Sequence, residues 1–532
     1  MSAPGRRSAL AEAAAIFAVF TAVALVVYGP ALRGPFVSDD LHYVATNPYV
    51  HTLTAESLRQ IFDPWGQASV FVVNYTPVHL LLHAAAWSLF GSDVLGHHVL
   101  GVVLHALGAT LLVSVFRASG AGRLAALAGG AIFLLHPANV EAVAWISQLK
   151  TTSCFVLSLA ALLVFPFSPG VATPLFFLAL LAKPTASFVL PVAAAIVWVR
   201  LWRERPPVRH LAWLAVCAAG FLALAVVQLE VNRRSGTPDT TGGAEGVARL
   251  LSVAGIAMRY LVMSATSLGV SAFHEPERAP GLASPWVLAA LPVVVLLAVR
   301  AVRSVVERRE EAVYWVWAAA AFAPVSQIFP FLYPMADRYL YFILPGLLGA
   351  ALLALRHALP SPAAGRAGLA IAAALCVTFG VRSHARAAIW SNPALILADA
   401  ARHYPEGVPA NLLRAKRAAQ EGDAERAVAA LRAAQARGFN RFEQIESDPA
   451  YAGIRSDPRF RAVVRDLASG WIRHYERLDD PTQLELRVLA LAHLARGERD
   501  EAISALEAAL AHGGPIDDRI RSELDQLRGA AR

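Results

Sequence analysis

The sequence predicts an all-α, polytopic membrane protein of about eleven transmembrane helices, followed by a soluble helical-repeat domain. Hydrophobic residues make up 56% of the 532 residues and charged residues 16%, which excludes an ordinary soluble globular chain. After about Arg382 the composition changes, because Ala-rich, charged segments with helical periodicity replace the apolar runs. We therefore predict a membrane domain over residues 1–382 and a helical-repeat domain over residues 383–532.

Apolar runs close to membrane-spanning length recur along the first domain, and a spanning helix needs about 20 residues. We predict spans at Leu10–Tyr28, His97–Phe116, Gly122–Leu135, Thr151–Phe167, Val171–Ala182, Thr185–Leu201, Leu211–Leu229, Pro285–Val302, Ala312–Phe329, Arg338–Leu355 and Gly368–Val381. Two further apolar stretches, Tyr75–Phe90 and Ala248–Phe273, are predicted to lie at the outer interface. Counting the second as a span would place the arginine cluster Arg300–Arg309 outside the cell.

The distribution of arginine predicts the orientation. If the N-terminus with Arg6 and Arg7 is cytoplasmic, the even-numbered connections carry most of the loop arginines, as the positive-inside rule demands. These arginines are Arg117, Arg123, Arg200, Arg203, Arg205, Arg209, Arg300, Arg303, Arg308, Arg309, Arg356 and Arg366. An odd number of spans places the first loop, about residues 29–96, and the helical-repeat domain outside. The net charge of +8 then reflects the loop arginines that orient the chain in the membrane. We therefore predict contact with membrane lipids and no nucleic-acid partner.

An aspartate pair, Asp39-Asp40, follows the first span in the string FVSDDLHYVATNPYV, Phe36–Val50. This position is the outer mouth of the membrane domain, where a water-soluble acceptor can meet a substrate carried by a lipid. Two neighbouring carboxylates disfavour double ionisation, which raises the pKa of one and makes it a better base. From spacing alone, a turn or a helix cap explains the pair better than catalysis does.

The helical-repeat domain contains two similar helix pairs, Asn411–Phe439 and Leu486–Gly513. Each pair has a turn with glycine and a charge, Gly422-Asp423 or Gly497-Glu498, and small Ala positions where two helices cross closely. This pattern is typical of tetratricopeptide repeats, which offer a docking surface for a peptide or protein. The segment Phe439–Val464 between them is similar to the degenerate helices that end such arrays. An unrelated helical bundle is the alternative.

Several strings together resemble one family, the multi-spanning glycosyltransferases of the GT-C class with C-terminal tetratricopeptide repeats, relatives of the protein O-mannosyltransferases. The strings are SDDLHYVATNP (Ser38–Pro48), NYTPVHLLLHAAAWSLFG (Asn74–Gly91), FLLHPANVEAVAWISQLK (Phe133–Lys150), LLAKPTASFVLPV (Leu180–Val192), MADRYLYFILPGL (Met335–Leu347) and IWSNPALILADAARHYPEG (Ile389–Gly407). They span nearly the whole chain in the family's order. One departure is Thr76, where the family tends to have an arginine, so no anion contact is assigned there.

The resemblance implies a GT-C fold and an inverting transfer of mannose or another hexose from a polyprenyl-phosphate donor. The acceptor that it implies is extracytoplasmic, and we predict Ser/Thr hydroxyls of proteins docked on the helical-repeat domain. The reaction needs a base for the acceptor hydroxyl and cations for the departing phosphate. By analogy Asp39 and Asp40 are the catalytic pair, one as base and the other orienting the acceptor, with the assignment open.

Cationic residues near the outer helix ends are the candidate ligands of the donor phosphate. Arg338 with Tyr339 is the first candidate and Lys183 the second, since guanidinium groups bind phosphate bidentately and lysine acts as a point charge. Snorkelling to lipid headgroups is the alternative for both cations, and pairing with Asp337 is a further alternative for Arg338. His136 and Glu141, on a predicted outer loop, are assigned to substrate binding or to anchoring that loop.

No cofactor and no metal are predicted, and the lipid-linked sugar serves as a co-substrate. His79 and His83 share one helical face but lack a carboxylate or cysteine at matching spacing, so an interfacial pair is the better interpretation. The three cysteines, Cys154, Cys217 and Cys376, lie far apart within predicted spans and indicate buried apolar residues.

Two other function classes remain open at this stage. The enzyme could glycosylate a lipid or a cell-envelope glycan, or the chain could be a non-catalytic membrane scaffold that recruits partners through its repeats. A transporter is disfavoured because the hydropathy shows no inverted repeat. The Ala- and Arg-rich composition suggests a bacterium, and we expect an inner-membrane protein with its active site and repeats in the periplasm.

Overall fold

The computed structural model describes residues 3–202, 207–234, 246–277, 280–328, 333–358, 362–478, 481–514 and 516–529. Every regular element in these ranges is helical and none is a strand, which confirms the all-α fold class. Nine helices in the same ranges are long and apolar enough to cross a membrane, or ten if one bent pair counts as a span. The bent pair is Arg123–Leu135 with Pro137–Ala144, at an angle of 51°.

Within the predicted membrane domain, the described residues form seventeen α-helices. They are α1 Ala3–Tyr28, α2 Pro48–His51, α3 Ala55–Phe62, α4 Gln67–Phe71, α5 Pro77–Phe90, α6 Val94–Ala118, α7 Arg123–Leu135, α8 Val140–Ala144, α9 Leu149–Val164, α10 Pro169–Ala182, α11 Val189–Ile196, α12 Val208–Arg234, α13 Gly246–Thr266, α14 Pro285–Val306, α15 Glu311–Phe322, α16 Asp337–Ala358 and α17 Pro362–Ala387. Short 3₁₀ segments join several of them, at Gly29–Ala31, Pro137–Asn139, Ile146–Gln148, Pro184–Phe188, Ala323–Val325 and Ala388–Ser391. Two π-helical turns occur at Leu41–Ala45 and Val197–Leu201.

Helices lie at all eleven predicted spans, although several are short. α7, α10 and α15 have 13, 14 and 12 residues. α11 has 8 residues but reaches span length, Pro184–Leu201, with the 3₁₀ and π-helical turns that flank it. The last residue of the predicted span Ala312–Phe329 lies outside the described residues. In contrast, α13 has the length and composition of a span, although its segment is predicted to be interfacial. The interfacial position of this segment, like the orientation, stays a prediction.

The centre of the membrane domain is built from α6, α7, α9, α15 and α16, whose buried side chains form one continuous apolar core. Glycine allows the closest approach, between α15 and α16. A Cβ atom at Gly346 would collide with the backbone of Ala318, and one at Gly349 would collide with the Tyr314 ring. Small residues at a helix crossing are a common basis of association within membranes. Peripheral helices such as α12 and α14 instead expose large apolar side chains, as expected for contact with lipid.

Residues 29–96, predicted as the first loop outside the membrane and called the first outer segment from here on, fold over the end of this core. Its short helices α2, α3, α4 and α5 enclose a separate cluster that includes Tyr43, Val50, Ile61, Val72 and Leu80. Side-chain caps fix the helix starts, with Asn47 accepting from the Tyr49 backbone N–H at 3.0 Å and Thr54 from that of Ser57 at 3.1 Å. The segment that follows Asp39-Asp40 is therefore a packed cap and not a free loop.

The part of the predicted helical-repeat domain that the structure describes contains eight α-helices. They are α18 Pro393–His403, α19 Val408–Gln420, α20 Ala424–Ala436, α21 Phe442–Ser447, α22 Pro458–Tyr475, α23 Gln483–Arg496, α24 Arg499–His512 and α25 Asp517–Gly529. The predicted helix pairs correspond to α19 with α20 and α23 with α24, and their turn glycines Gly422 and Gly497 have φ of 78° and 86°. The classification of these pairs as tetratricopeptide repeats stays a prediction.

The helical-repeat domain packs on one face of the membrane domain. The Val408 backbone N–H donates to Glu275 at 2.6 Å, and the Ala272 backbone N–H donates to Asp399 at 2.9 Å. On another side, the Gln67 side chain donates to the Gly513 carbonyl at 3.1 Å. Because Gln67 belongs to the first outer segment, the domain lies on the same side as Asp39 and Asp40.

Candidate active site

The aspartate pair is presented by an unusual piece of backbone. The first helix ends at Tyr28, and Ser38 adopts a left-handed conformation with φ of 51°, which is uncommon for a residue other than glycine. A π-helical turn, Leu41–Ala45, begins directly after the pair. Strained backbone and π-turns are both enriched at functional sites. As a result of this backbone geometry, the side chains of Asp39 and Asp40 lie in different surroundings.

Asp40 is buried and both of its carboxylate oxygens accept backbone hydrogen bonds. It is 1% exposed, with Val37 N–H at 3.0 Å and Ser147 N–H at 2.6 Å. Burial raises the pKa of Asp40 to about 7, with the charge of Asp39 adding to the increase and the backbone N–H groups opposing it. Asp40 therefore ties the first outer segment to the turn that precedes α9.

Asp39 is only half-buried, and its carboxylate makes a weaker contact, a 3.4 Å hydrogen bond from the Ser38 hydroxyl. Its backbone carbonyl accepts from the Tyr43 N–H at 2.9 Å, which fixes the residue at the start of the π-turn. An accessible carboxylate with spare acceptor capacity suits a base for an incoming hydroxyl better than one held by two backbone donors.

Arg338 binds Glu141, which lies in α8. The Glu141 carboxylate accepts from the Arg338 backbone N–H at 2.7 Å and also pairs with the guanidinium group. Glu141 is 2% exposed, so this is a buried ion pair between the bent segment and the first turn of α16. The guanidinium carbon lies 5.4 Å from the Trp145 ring centre and 5.1 Å from those of Tyr333 and Tyr339. Aromatic faces on several sides leave the cation poorly hydrated.

The alternative that Asp337 neutralises Arg338 is wrong. Asp337 instead accepts from His274 at 2.7 Å and lies 3.5 Å from Arg386. Glu141 and His136 are also not on an exposed outer loop, since both are buried in the bent pair formed by α7 and α8. His136 accepts from the Ala138 N–H at 3.2 Å and its other ring nitrogen lies 3.2 Å from the Ser264 carbonyl, which is an anchoring role.

Lys183 caps the C-terminus of α10, as predicted at a helix boundary, and its ammonium group donates to the Thr151 hydroxyl at 2.7 Å. The neighbour of Thr151 is Lys150, whose ammonium group lies 4.2 Å from the centre of the Tyr43 ring. Neither lysine has a carboxylate within ion-pair distance among the residues that the structure describes. Lys183 lies within electrostatic range of Lys150, Arg338 and Glu141.

We call Arg338, Lys183 and Lys150 the cation cluster. Three basic groups accompany one carboxylate, Glu141. Burial, together with the charges of Lys150 and Arg338, lowers the pKa of Lys183 to about 7, so the excess of these groups over Glu141 lies between one and two positive charges near neutral pH. Uncompensated charge at this depth is costly, which indicates that the cluster receives an anion. The sequence prediction missed Lys150. A signal was present, since lysine occurs only three times in the chain and two of the three lysines meet here.

His79 and His83 contact each other, with ring centres 4.4 Å apart, and His79 packs against Tyr43 at 5.1 Å. Over the described ranges, no three His, Cys, Asp or Glu side chains are grouped so that they could hold a metal ion. The pair thus lacks a third protein ligand there, whereas metal independence of the chemistry stays a prediction.

The fold defines an integral membrane protein, and its candidate site combines a half-buried carboxylate, Asp39, with the cation cluster. No family model matches the chain, and no solved structure matches it.

Curated relatives do match. Protein O-mannosyl-transferase Tmtc1 of Drosophila melanogaster is 32% identical over 146 residues, 26% of this chain and 17% of the relative. Protein O-mannosyl-transferase F38B6.6 of Caenorhabditis elegans is 26% identical over 230 residues, 40% of this chain and 32% of the relative. Protein O-mannosyl-transferase TMTC1 of Mus musculus is 32% identical over 157 residues, 27% of this chain and 16% of the relative.

The matches span less than a third of the length of these relatives. They confirm the resemblance predicted from the sequence, because the homologues carry the name of membrane glycosyltransferases. The chain is therefore related to protein O-mannosyl-transferases, and its own substrates are a separate question.

Proposed function

We propose that this protein is an inverting glycosyltransferase of the GT-C class. It transfers a hexose from a polyprenyl phosphate to Ser/Thr hydroxyls of proteins outside the cytoplasm. The observation that carries the proposal is the pairing of an accessible carboxylate, Asp39, with the cation cluster. Tyr43 connects the two, since its backbone N–H donates to the Asp39 carbonyl at 2.9 Å and the Lys150 ammonium group lies 4.2 Å from the centre of its ring. The negative charge that accepts the proton of the acceptor and the positive charge that stabilises the departing phosphate thus lie in the same region of the protein.

In the proposed reaction, the acceptor oxygen attacks the anomeric carbon while its proton passes to the Asp39 carboxylate. The bond between the anomeric carbon and the phosphate oxygen breaks, and the lipid phosphate leaves with the electron pair. Arg338, Lys183 and Lys150 stabilise the negative charge that develops on that oxygen. Attack from the side opposite the leaving group inverts the anomeric configuration.

The other residues position these groups. Glu141 holds the Arg338 backbone and side chain together, which sets the guanidinium orientation before the donor arrives. The Tyr339 ring packs against the same guanidinium group at 5.1 Å. Asp40 orients its neighbour by fixing the backbone on either side of the pair. We place this site in the periplasm of a bacterial inner membrane, in keeping with the arginine distribution.

The test uses the full chain in lipid nanodiscs, a polyprenyl-phosphate mannose donor and a Thr-containing peptide. We expect Asp39→Asn to reduce transfer by about a hundredfold or more, the range of a lost general base. The matched control is Asp63→Asn, which changes a half-buried aspartate of the same outer segment that accepts from the Trp65 N–H at 2.9 Å. Undiminished transfer by Asp39→Asn would refute the assigned base.

The acceptor class is tested in cells that carry the wild-type chain or the Asp39→Asn variant at equal expression. Mass spectrometry of envelope proteins is expected to show a hexose on specific Ser/Thr residues with the wild type alone. If the sugar is lost only from glycolipids or an envelope glycan, the enzyme stands and the protein acceptor is wrong. If neither pool changes, the chain acts as a scaffold.

A further inference from the structure

We propose that the Thr151 hydroxyl is a positioning group that holds the Lys183 ammonium group in place for the phosphate of the lipid donor. This inference rests on the proposed function and deepens it. It adds to the cation cluster a neutral side chain that acts on the donor through Lys183 and not by direct contact.

Lys183 needs a support, because its ammonium group stands at the end of a flexible chain of four carbons. The support is the Thr151 hydroxyl, which accepts a hydrogen bond from the ammonium group at 2.7 Å. Among the residues that the structure describes, this hydroxyl is the one hydrogen-bond acceptor of the ammonium group. Since an ammonium group has three N–H donors, two of them remain for a ligand.

The Thr151 hydroxyl is itself oriented by Gln148. It donates to the side-chain oxygen of Gln148 at 2.7 Å, so its own proton is used there and its lone pairs remain for the ammonium group. Thr151 and Gln148 are buried, with exposed fractions of 0% and 2%. Lys183, in contrast, is only partly buried. Two buried side chains therefore present a cation that a ligand can reach.

Phe342 places Lys183 on the same side of α16 as Arg338. The Lys183 ammonium group lies 5.5 Å from the centre of the Phe342 ring. Arg338 is four residues before Phe342 in this helix, and residues four apart lie on the same helical face. Both cations therefore border one face of α16, as expected for two ligands of one phosphate group.

The same support reaches the aspartate pair. Gln148 directly follows Ser147, whose backbone N–H donates to the Asp40 carboxylate at 2.6 Å. Residues 147–151 therefore bond Asp40 at one end and the Lys183 ammonium group at the other. Because these residues are helical, they set a fixed spacing between the aspartate pair and the phosphate site.

The charge of Lys183 depends on pH near neutrality. Burial lowers its pKa to about 7, with the charges of Lys150 and Arg338 adding to the decrease and Cys154 and Glu141 opposing it. Within the described ranges, these four are the titratable or charged groups that face the ammonium group. A donor phosphate that contacts Lys183 should therefore bind more weakly as the lysine loses its proton.

The Thr151 hydroxyl favours the charged form of Lys183, because it accepts a hydrogen bond from the ammonium group. Removal of this hydroxyl should lower the pKa of Lys183 below its wild-type value of about 7. The donor phosphate is a diester and stays anionic across this range. Donor affinity should thus fall as pH rises through about 7 in the wild type, and at a lower pH without the hydroxyl.

The test measures binding of a polyprenyl-phosphate mannose donor to the full chain in nanodiscs on both sides of neutral pH. We expect Thr151→Val, which keeps the volume of the side chain, to raise the donor Kd by on the order of tenfold above neutral pH, as for a lost hydrogen bond to a charged group. The difference from the wild type should shrink at acid pH, where both proteins carry the ammonium form. Thr151→Ser keeps a hydroxyl and should restore donor binding.

The matched control is Thr152→Val, which removes the neighbouring buried hydroxyl, whose acceptor is the Leu149 carbonyl at 3.2 Å. This variant should leave the donor Kd and its pH profile unchanged. In a Lys183→Met background, Thr151→Val should have no further effect on donor binding, because the lysine that it positions is gone.

Unchanged donor binding in Thr151→Val overturns this inference alone. So does a loss of equal size at every pH that persists in the Lys183→Met background, because the hydroxyl then acts on folding and not through Lys183. If the wild-type chain binds no donor at any pH, the proposed function falls and this inference falls with it.

Discussion

At the scale of single residues, the aspartate pair shows how neighbours in sequence acquire different chemistry. Asp40 is enclosed and accepts two backbone hydrogen bonds, whereas the half-buried Asp39 carboxylate has one weak hydrogen bond from the Ser38 hydroxyl. The sequence pattern supplied both carboxylates but could not assign their roles. The difference arises because Ser147, more than a hundred residues away in the chain, supplies one of the two donors to Asp40.

The raised pKa of Asp40, about 7, leads to a prediction about stability and pH. The unfolded carboxyl has a pKa of about 3.9, so the folded state binds more protons between that value and pH 7. The free energy of unfolding should therefore fall as pH rises through this window, by up to about 1.4 kcal/mol per pH unit. Asp40→Asn has no proton to lose there, so its stability relative to the wild type should increase with pH.

Thermal unfolding in nanodiscs from pH 4 to pH 8 measures this difference. Asp63→Asn serves as the control and should follow the wild-type profile. A constant difference between Asp40→Asn and the wild type would show that burial does not raise the pKa of Asp40.

A role of Lys150 in binding the donor phosphate is a prediction at the residue scale that only the structure suggested. Lys150→Met removes one positive charge of the cation cluster, so the KM for the lipid donor should rise by about tenfold. Lys150→Arg should restore much of the affinity. The chain's one lysine outside the cluster, Lys416, pairs with Asp448 at 2.6 Å, and Lys416→Met should leave the donor KM unchanged. An unaffected donor KM in Lys150→Met would remove Lys150 from the phosphate site.

At the scale of elements, the bent pair α7 and α8 gives Arg338 its partner. The bend returns the chain into the buried interior, so that Glu141 meets the first turn of α16 instead of solvent. The string HPANVEAVAW contains Glu141, but it does not reveal the bend between α7 and α8. Hydropathy could not reveal it, because a re-entrant helix and an outer loop with a short apolar helix have the same local composition.

The ion pair of Glu141 and Arg338 can be tested by a double-mutant cycle. Glu141→Gln leaves a buried guanidinium without its carboxylate and should cost about 3–5 kcal/mol of stability. Adding Arg338→Gln removes that charge, so the double variant should recover part of the loss while transfer remains absent. Thermal unfolding and transfer assays on the four proteins measure both effects. Additive losses of stability would show that the two side chains are not coupled.

At the scale of the whole molecule, a buried polar network joins the helical-repeat domain to α16. Tyr404 lies 3.0 Å from His274, which binds Asp337, and Arg386 lies 3.2 Å from Asp399. Asp337 directly precedes Arg338, so the position of the repeats is coupled through the chain to the phosphate site. The domain is thus attached by hydrogen bonds that no linker sequence predicts.

Asp399→Ala should loosen this attachment, since it leaves the Ala272 N–H without its acceptor. It also removes one acceptor of the Arg386 guanidinium, which keeps the Val270 carbonyl at 3.2 Å and Asp337 at 3.5 Å. We expect faster hydrogen exchange in α18 and lower transfer to peptide, with donor binding retained. Asp466→Ala, which breaks an exposed pair with Arg432, is the control. Exchange in α18 equal to that of the wild type would show that the network does not hold the domain.

The sequence by itself determined the fold class, the places of the membrane helices, the helix pairs of the tail and most of the candidate site residues. These follow from local properties, namely apolar length, helical periodicity, turn glycines and familiar strings. The tertiary structure decided which aspartate of the pair is enclosed, that Glu141 and not Asp337 pairs with Arg338, and that Lys150 lies against Tyr43. Those facts depend on contacts between residues far apart in the chain, and local composition carries no information about which distant charges meet.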